Sequence, residues 1–278
     1  RYFQLSFRKT GTSAVIIPEK KIERIRFPVK LMNRLWLDFS IPDLYWFWKD
    51  VDIFHSPHFS LPVISKAKKI LTVNDITYLK HPEYYSISGK KLNDYGYKQL
   101  LPVNVKRADR IIAISHHTKS DLIEYFSIPE NNISVIHIGT IIPEQLPKEK
   151  LQSIISRFGL NVSDFIYFPV GTFEPRKNIE RTIRAFSRVN PKPNKIKLAL
   201  SGVGDKSWLD KNIINDDIVC VRWDKDEERD ALYQAAKFAV YTSLYEGFGI
   251  PALEALANGK ALLTSNNSSL PEIAEGYA

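Results

Sequence analysis

The sequence predicts an α/β protein built from two halves, each a parallel sheet with helices on both faces. Three observations carry that expectation. Short apolar runs alternate with helical patterns, glycines close two of the runs, and "GTIIPEQLPKEK" (139–150), rich in proline and charge, separates the halves as a linker. The domains are therefore placed at residues 1–145 and 146–278, enclosing a cleft in which a ligand would lie at the carboxyl ends of the strands.

In the first half Ile53–His55, Ile70–Val73 and Ile111–Ser115 look like strands and Lys119–Phe126 like a helix. The second half is more regular. Strand-like runs at Phe165–Val170, Ile196–Ser201, Ile218–Val221, Phe238–Tyr241 and Ala261–Thr264 are separated by helical stretches near 178–189, 227–236, 251–258 and 270–275. No internal repeat, low-complexity tract or heptad pattern interrupts this order.

Composition narrows the function. A hydrophobic fraction of 44% and a charged fraction of 25% are those of a soluble globular protein. The single cysteine, Cys220, excludes disulfides within the chain and fits a reducing, cytoplasmic setting. No apolar run is long enough to span a bilayer, and the opening Arg-Tyr-Phe-Gln is no signal peptide. The net charge of +8 belongs to residues 1–140, with 21 Lys/Arg against 13 Asp/Glu; residues 141–278 balance at 18 against 18. An anionic membrane surface or acceptor would attract the first half, although a solvated basic face has the same composition. Nucleic acid is the other customary partner of such charge, but no recognition motif accompanies it.

Two motifs carry chemistry. In "FPVGTFEPRKNIERTIRAF" (168–186), Gly171 closes a strand and Arg176 and Lys177 precede a helix that Asn178 is placed to cap. Two adjacent cations at a helix entrance suit a diphosphate, because Arg forks two oxygens while Lys acts as a point charge. A solvated basic turn would look the same in isolation. "SGVGD" (201–205) is a second glycine-opened strand end, neither a Walker loop nor a dinucleotide fingerprint. In "SLYEGFGIPALEALANGK" (243–260), Pro251 suits a first helical position and Gly259 the far end. The residues between are apolar all round, which describes a buried helix with Glu254 as its only charge. Gly247 and Gly249 let the backbone approach a ligand, and the first-turn N–H groups are free donors for phosphate or sugar hydroxyls.

In this order these stretches resemble the retaining, nucleotide-sugar-dependent glycosyltransferases of family 4, or group 1, over essentially the whole chain. The strongest elements are Gly171-Thr-Phe-Glu-Pro-Arg-Lys-Asn178 and Ser243-Leu-Tyr-Glu-Gly-Phe-Gly-Ile-Pro-Ala-Leu-Glu254, the second containing a Glu-x7-Glu signature, with "SSLPEIA" (268–274) behind. "DIFHSPHFSLP" (52–62), "LTVNDITYLKHPEYY" (71–85) and "RADRIIAISHHTKSDLIEYF" (107–126) are similar to the acceptor-side domain of the same enzymes.

The resemblance implies the two-domain GT-B fold, here without its first strand and loop and without its closing helices. It implies transfer of a hexose, first of all mannose from GDP-mannose, to a glycan or lipid-linked acceptor in surface polysaccharide (lipopolysaccharide) synthesis, at the inner face of the membrane. Arg176 and Lys177 would bind the diphosphate, Glu246 the donor sugar, and Glu254 the ribose hydroxyls. Gly171, Thr172, Gly247, Phe248, Gly249, Ile250 and Ser115 would line the donor site, and Asp75 would reach the reacting centre. Many relatives carry a histidine before that aspartate; here it is Asn74, so no imidazole is assigned beside the reacting sugar. His55, His58, His116 and His117 read as structural. No metal ligand set and no Asp-x-Asp appears in these motifs, so the donor, GDP- or UDP-linked, would be the sole small-molecule requirement and side-chain cations would balance the leaving charge. A nucleotide-sugar-binding module without transfer, and a sugar-nucleotide 2-epimerase on the same fold, are the two other readings.

Overall fold

A computed structural model describes residues 2–5, 22–25, 28–86, 95–189, 196–204 and 213–277. Asp205 of "SGVGD" lies outside them. Two strands open the chain, β1 (Tyr2–Leu5) and β2 (Ile22–Ile25), paired in parallel. Then come α1 (Val29–Asp38), β3 (Ile53–Ser56), β4 (Lys68–Val73), α2 (Thr77–Lys80), α3 (Glu83–Ser86), α4 (Leu101–Arg107), β5 (Arg110–Ala113), α5 (His116–Phe126) and β6 (Ile133–Val135). The remainder is α6 (Lys148–Ser156), β7 (Phe165–Thr172), α7 (Ile179–Val189), β8 (Lys197–Val203), β9 (Ile218–Val221), α8 (Asp226–Ala235), β10 (Ala239–Tyr241), α9 (Ile250–Ala257), β11 (Leu262–Thr264) and α10 (Leu270–Ala274).

A four-stranded sheet has the order β3-β4-β5-β6, and a five-stranded one the order β11-β10-β7-β8-β9. Every registered pairing is parallel. Contacts group the chain into two units, residues 1–72 with 94–112, and residues 73–93 with 113–278.

The first unit has a small core of Met32, Trp36, Leu44, Trp48, Ile64 and Ala67. Asn104 donates from its amide to the Phe59 carbonyl at 2.8 Å, and Asp109 accepts from the Lys69 N–H at 2.8 Å.

The second unit is organised around β7, whose residues are buried almost continuously, as a central parallel strand requires. Pro169 has no N–H to give the ladder, and the register with β8 shifts between Pro169 and Gly171. The strand therefore runs on past Gly171, the expected end, to Thr172. Helix α7 covers the sheet with Ile179, Ile183 and Phe186, three buried residues at helical spacing. Asn178 takes a left-handed conformation (φ 59°) just before it; its carbonyl accepts from the Thr182 N–H. Its side-chain amide donates instead to the Thr242 carbonyl at 3.2 Å, so it ties α7 to the end of β10 where side-chain capping was expected.

Helix α9 begins one residue before Pro251, with Gly249 (φ 108°) at its N-cap and Gly259 (φ 65°) beyond its end. It is less buried than its composition suggests. Ala252 and Ala255 are enclosed, Leu253, Glu254 and Leu256 are half-buried, and Ile250 is 44% exposed. The proline-rich stretch after β6 has no regular structure until Pro147, and α6 starts at Lys148.

Candidate functional site

The site lies at the carboxyl ends of β7 and β10, inside the second unit. After β7 the chain makes a short 3-10 turn, Pro175–Lys177, that presents two cations side by side. The turn is fixed by its own backbone: the Arg176 carbonyl accepts from the Leu244 N–H at 2.7 Å, which holds it against the segment leaving β10.

Both cations meet one carboxylate. Glu246 Oε2 lies 2.8 Å from Arg176 Nη1, and Oε1 lies 2.6 Å from Lys177 Nζ. Arg176 also donates to Glu174 at 2.7 Å and to the Tyr245 carbonyl at 3.2 Å. The Tyr241 hydroxyl completes the group, accepting from Lys177 at 2.7 Å and donating to Glu246 at 2.8 Å. Lys177 and Glu246 are nearly enclosed, at 5% and 7% exposure.

Burial would push the Glu246 carboxyl up, but Lys177 and Arg176 beside it pull harder and hold it down at about 2. Burial works against the Arg176 charge too; Glu246 and Glu174 outweigh it and raise its pKa. For Lys177 burial wins and lowers the pKa, with Glu246 opposing. Arg176 is therefore the firmly held cation and Lys177 the weaker one. The Glu246 charge opposes the effect of burial on both cations, and Glu174 adds to it at Arg176.

The turn at 246–249 is anchored from three sides. Ser268 accepts from the Glu246 N–H at 3.0 Å, and the Ser269 hydroxyl reaches the carbonyls of Glu246 and Phe248 at 2.9 and 2.8 Å. Ser115, fully buried, caps α5 by accepting from the Thr118 N–H at 2.9 Å and reaches the Gly247 carbonyl at 2.7 Å. A Cβ on Gly247 would stand 2.1 Å from the Asn74 carbonyl oxygen and 2.8 Å from Asp75 Cβ, so only glycine fits. None of the hydrogen bonds among the described residues uses the N–H groups of Gly247, Phe248 or Gly249.

Glu254 has different partners. It pairs with Arg229 of α8 (Nη1–Oε1, 3.2 Å) and accepts from the Tyr233 hydroxyl (3.1 Å). Burial raises its pKa, with Arg229 and Tyr233 pulling the other way. It lines a cavity of about 460 Å³ together with Gly171, Gly202, Trp223, Arg229 and Pro251.

The structure thus brings Arg176, Lys177 and Glu246 into one ion-paired group, and sets Ser115 and Asp75 each against Gly247. Gly171 and Glu254 meet at the cavity, which Arg176, Lys177 and Glu246 do not line. Glu246 pairs with Arg176 and Lys177, whereas Glu254 pairs with Arg229. Asp75 accepts from the Thr77 N–H at 2.9 Å and so closes the turn into α2. Thr172 ends β7, Phe248 is buried and Ile250 opens α9.

Sequence patterns missed Glu174, Tyr241, Arg229 and Tyr233. Only Glu174 stood inside a quoted motif; α8 carries no pattern pointing to Glu254. They also missed a buried group around Asp121, which accepts from Lys80 at 2.6 Å and from the Tyr245 hydroxyl and has His117 Nε2 at 3.4 Å. Here Tyr245 is pushed up by burial and by Asp121.

The sequence and the fold both match known proteins. The family model "Glycosyl transferases group 1" matches residues 152–278, and "Glycosyltransferase Family 4" matches residues 10–141. Among curated relatives, O-antigen chain mannosyltransferase B of Escherichia coli is 30% identical over 231 residues, covering 80% of this chain and 58% of that protein. The serotype-specific mannosyltransferase WbdA of the same species is 28% identical over 240 residues, 81% of this chain and 26% of that one. The chain thus spans between a quarter and three-fifths of these relatives. Among solved structures, WaaG, a glycosyltransferase involved in lipopolysaccharide biosynthesis, superposes with a TM-score of 0.62 at 15% identity, over 94% of this chain and 75% of that one. Anabaena Alr3699/HepE, solved in complex with UDP-glucose, gives 0.58 at 17% identity, over 76% and 57%. Two parallel α/β sheets of GT-B type and the two family matches lead to one conclusion: the chain belongs to the group 1, family 4 glycosyltransferases.

Proposed function

We propose that the chain is a retaining hexosyltransferase that moves mannose from GDP-mannose to a glycan or lipid-linked acceptor during surface polysaccharide synthesis. The observation that carries the reading is the buried Arg176–Glu246–Lys177 group, set against a glycine turn with uncommitted N–H donors. Protein interiors rarely enclose two cations without a use for the charge, and a diphosphate is a ligand that two adjacent cations and a helix N-terminus suit together.

The chemistry follows from those groups. As the bond between the sugar's C1 and the diphosphate breaks, the electron pair goes to the diphosphate oxygen, where Arg176 and Lys177 oppose the growing charge. The acceptor oxygen bonds C1 on the face that the leaving group vacates, and its proton passes to that phosphate oxygen. Without donor, Glu246 supplies the counter-charge. With donor, the cations are shared with phosphate and a Glu246 oxygen is released toward sugar hydroxyls. Glu254 has lone pairs left beyond Arg229 and Tyr233, enough to accept from a ribose diol in the neighbouring cavity.

The deciding experiment offers GDP-mannose, UDP-glucose and related donors, with and without lipid-linked acceptor, and measures free nucleoside diphosphate. Release that depends on acceptor is expected, falling roughly 100-fold in kcat/KM in Arg176→Ala. Glu254→Ala is expected to raise the donor KM with kcat little changed. Tight donor binding without release would leave a binding module, and a change of sugar configuration without release an epimerase. Donor binding indifferent to both substitutions would remove the site assignment.

A further inference from the structure

Beside the Gly-Phe-Gly turn, three side chains that the sequence places far apart come together. His116 opens α5, His137 follows β6, and Glu272 lies in α10. Their ligand atoms all lie within 4.8 Å of one another, and Glu272 Oε2 is 3.3 Å from His137 Nε2. We propose that His116, His137 and Glu272 form a binding site for a divalent transition ion of the zinc type.

The donor set is the first argument. Two imidazoles and one carboxylate match zinc, whereas magnesium and calcium take oxygen ligands. The second is spacing: metal–ligand bonds of 2.0–2.2 Å in a tetrahedral site put ligands about 3.3 Å apart. The Glu272–His137 pair already has that separation. Both histidines are exposed, so His116 closes the remaining distance by side-chain rotation without disturbing the core.

The third argument is the support around the carboxylate. Glu272 Oε2 accepts from the His116 N–H and Oε1 from the His117 N–H, each at 2.7 Å. The first turn of α5 thus fixes the carboxylate's orientation, as outer-shell hydrogen bonds do in metal sites, and Oε2 keeps a lone pair for an ion. The His137 ring stands 5.5 Å from the Phe248 ring, and the His116 ring 5.8 Å from that of His137. A fourth position would be open to water or to a ligand. The ion would clamp α10 to the start of α5, beside the Gly-Phe-Gly turn. Three points of attachment, 21 and 135 positions apart in sequence, would be cross-linked.

The test uses the whole chain, dialysed against chelator. Isothermal titration with zinc chloride is expected to show one site per chain. Cobalt(II) at that site is expected to give the visible absorption of a four-coordinate N/O site, and saturating zinc to raise the melting temperature by several degrees, reversed by chelator. His116→Ala and His137→Ala, both at exposed positions, are expected to weaken the affinity tenfold or more while melting like the parent without metal. His55→Ala in the other unit serves as the control. No one-site isotherm, a site equally weakened by His55→Ala, or a site untouched by either of the other histidine variants would overturn the proposal.

Discussion

Glu246 has a buried carboxylate with two cations and no water-facing alternative. Removing it leaves Lys177 enclosed without a carboxylate and Arg176 with Glu174 alone, so Glu246→Ala is expected to cost about 3–5 kcal/mol of stability, read from a denaturant midpoint. Its pH signature follows from the same pairing. The folded pKa of about 2 lies below the ordinary 4.5, so the stabilisation is fully present above pH 4.5 and is lost as pH falls from there toward 2. A parent whose stability is flat over that window, or a Glu246→Gln variant that loses stability as steeply, would contradict it. Gly247 offers a test of geometry without charge. Gly247→Ala sets a methyl against the Asn74 carbonyl and is expected to cost roughly 1–3 kcal/mol and most of the activity. Gly139→Ala, where a Cβ meets nothing within 4 Å, is expected to stay within about 0.5 kcal/mol of the parent. Part of this scale was legible: Arg176, Lys177 and Glu246, which the fold pairs, all stand in the two motifs. The partners of Glu254 were not, because Arg229 and Tyr233 reach it from α8 through packing that no local pattern encodes.

At the scale of elements, the site depends on which strand ends hold which turns. Ser115 shows the linkage: one hydroxyl starts α5 and also fixes the Gly247 carbonyl, so two segments 132 residues apart share an anchor. Ser115→Ala is expected to lose roughly 1–2 kcal/mol, the sum of a cap and a buried hydrogen bond, and to weaken donor binding although the residue touches no cation. Unchanged donor affinity in a folded variant would restrict Ser115 to capping. Periodicity found α5, α7, α8, α9 and α10 and the strands of the second sheet within a few residues. It gave no account of α1, α2, α3, α4 or α6. Helix α1 has an apolar face but opens at Pro28 without a side-chain cap, α2 and α3 are single turns, and α6 begins inside the charged stretch expected to be a linker.

For the molecule as a whole, charge and exposed aromatics bear on where it works. Among the described residues no helix is long and apolar enough to cross a membrane. The net charge of +8 belongs to residues 1–140, and there Phe39, Trp46 and Phe47 are each more than 60% exposed on a stretch that also exposes Lys30 and Lys49. Aromatic rings and cations on one segment suit an anionic lipid interface, each cation adding about 1 kcal/mol near the surface. Sedimentation with vesicles containing phosphatidylserine is expected to be strong in low salt, weaker in high salt, and reduced by Trp46→Ser with Lys49→Gln. Salt-independent association, or none, would count against peripheral binding.

The sequence by itself determined the class of fold, the order of its strands and helices in the second sheet, and the residues of the two motifs. Those are local properties: periodicity sets which face is buried, and glycine, proline and charge set where a strand must turn. Tertiary structure alone decided how the charges are shared. It gave Glu246 both cations, sent Glu254 to Arg229, and gathered His116, His137 and Glu272 at one point. Ion pairs and ligand sets depend on distances of a few ångströms between segments far apart in the chain, and only the packing of sheet against helix fixes those.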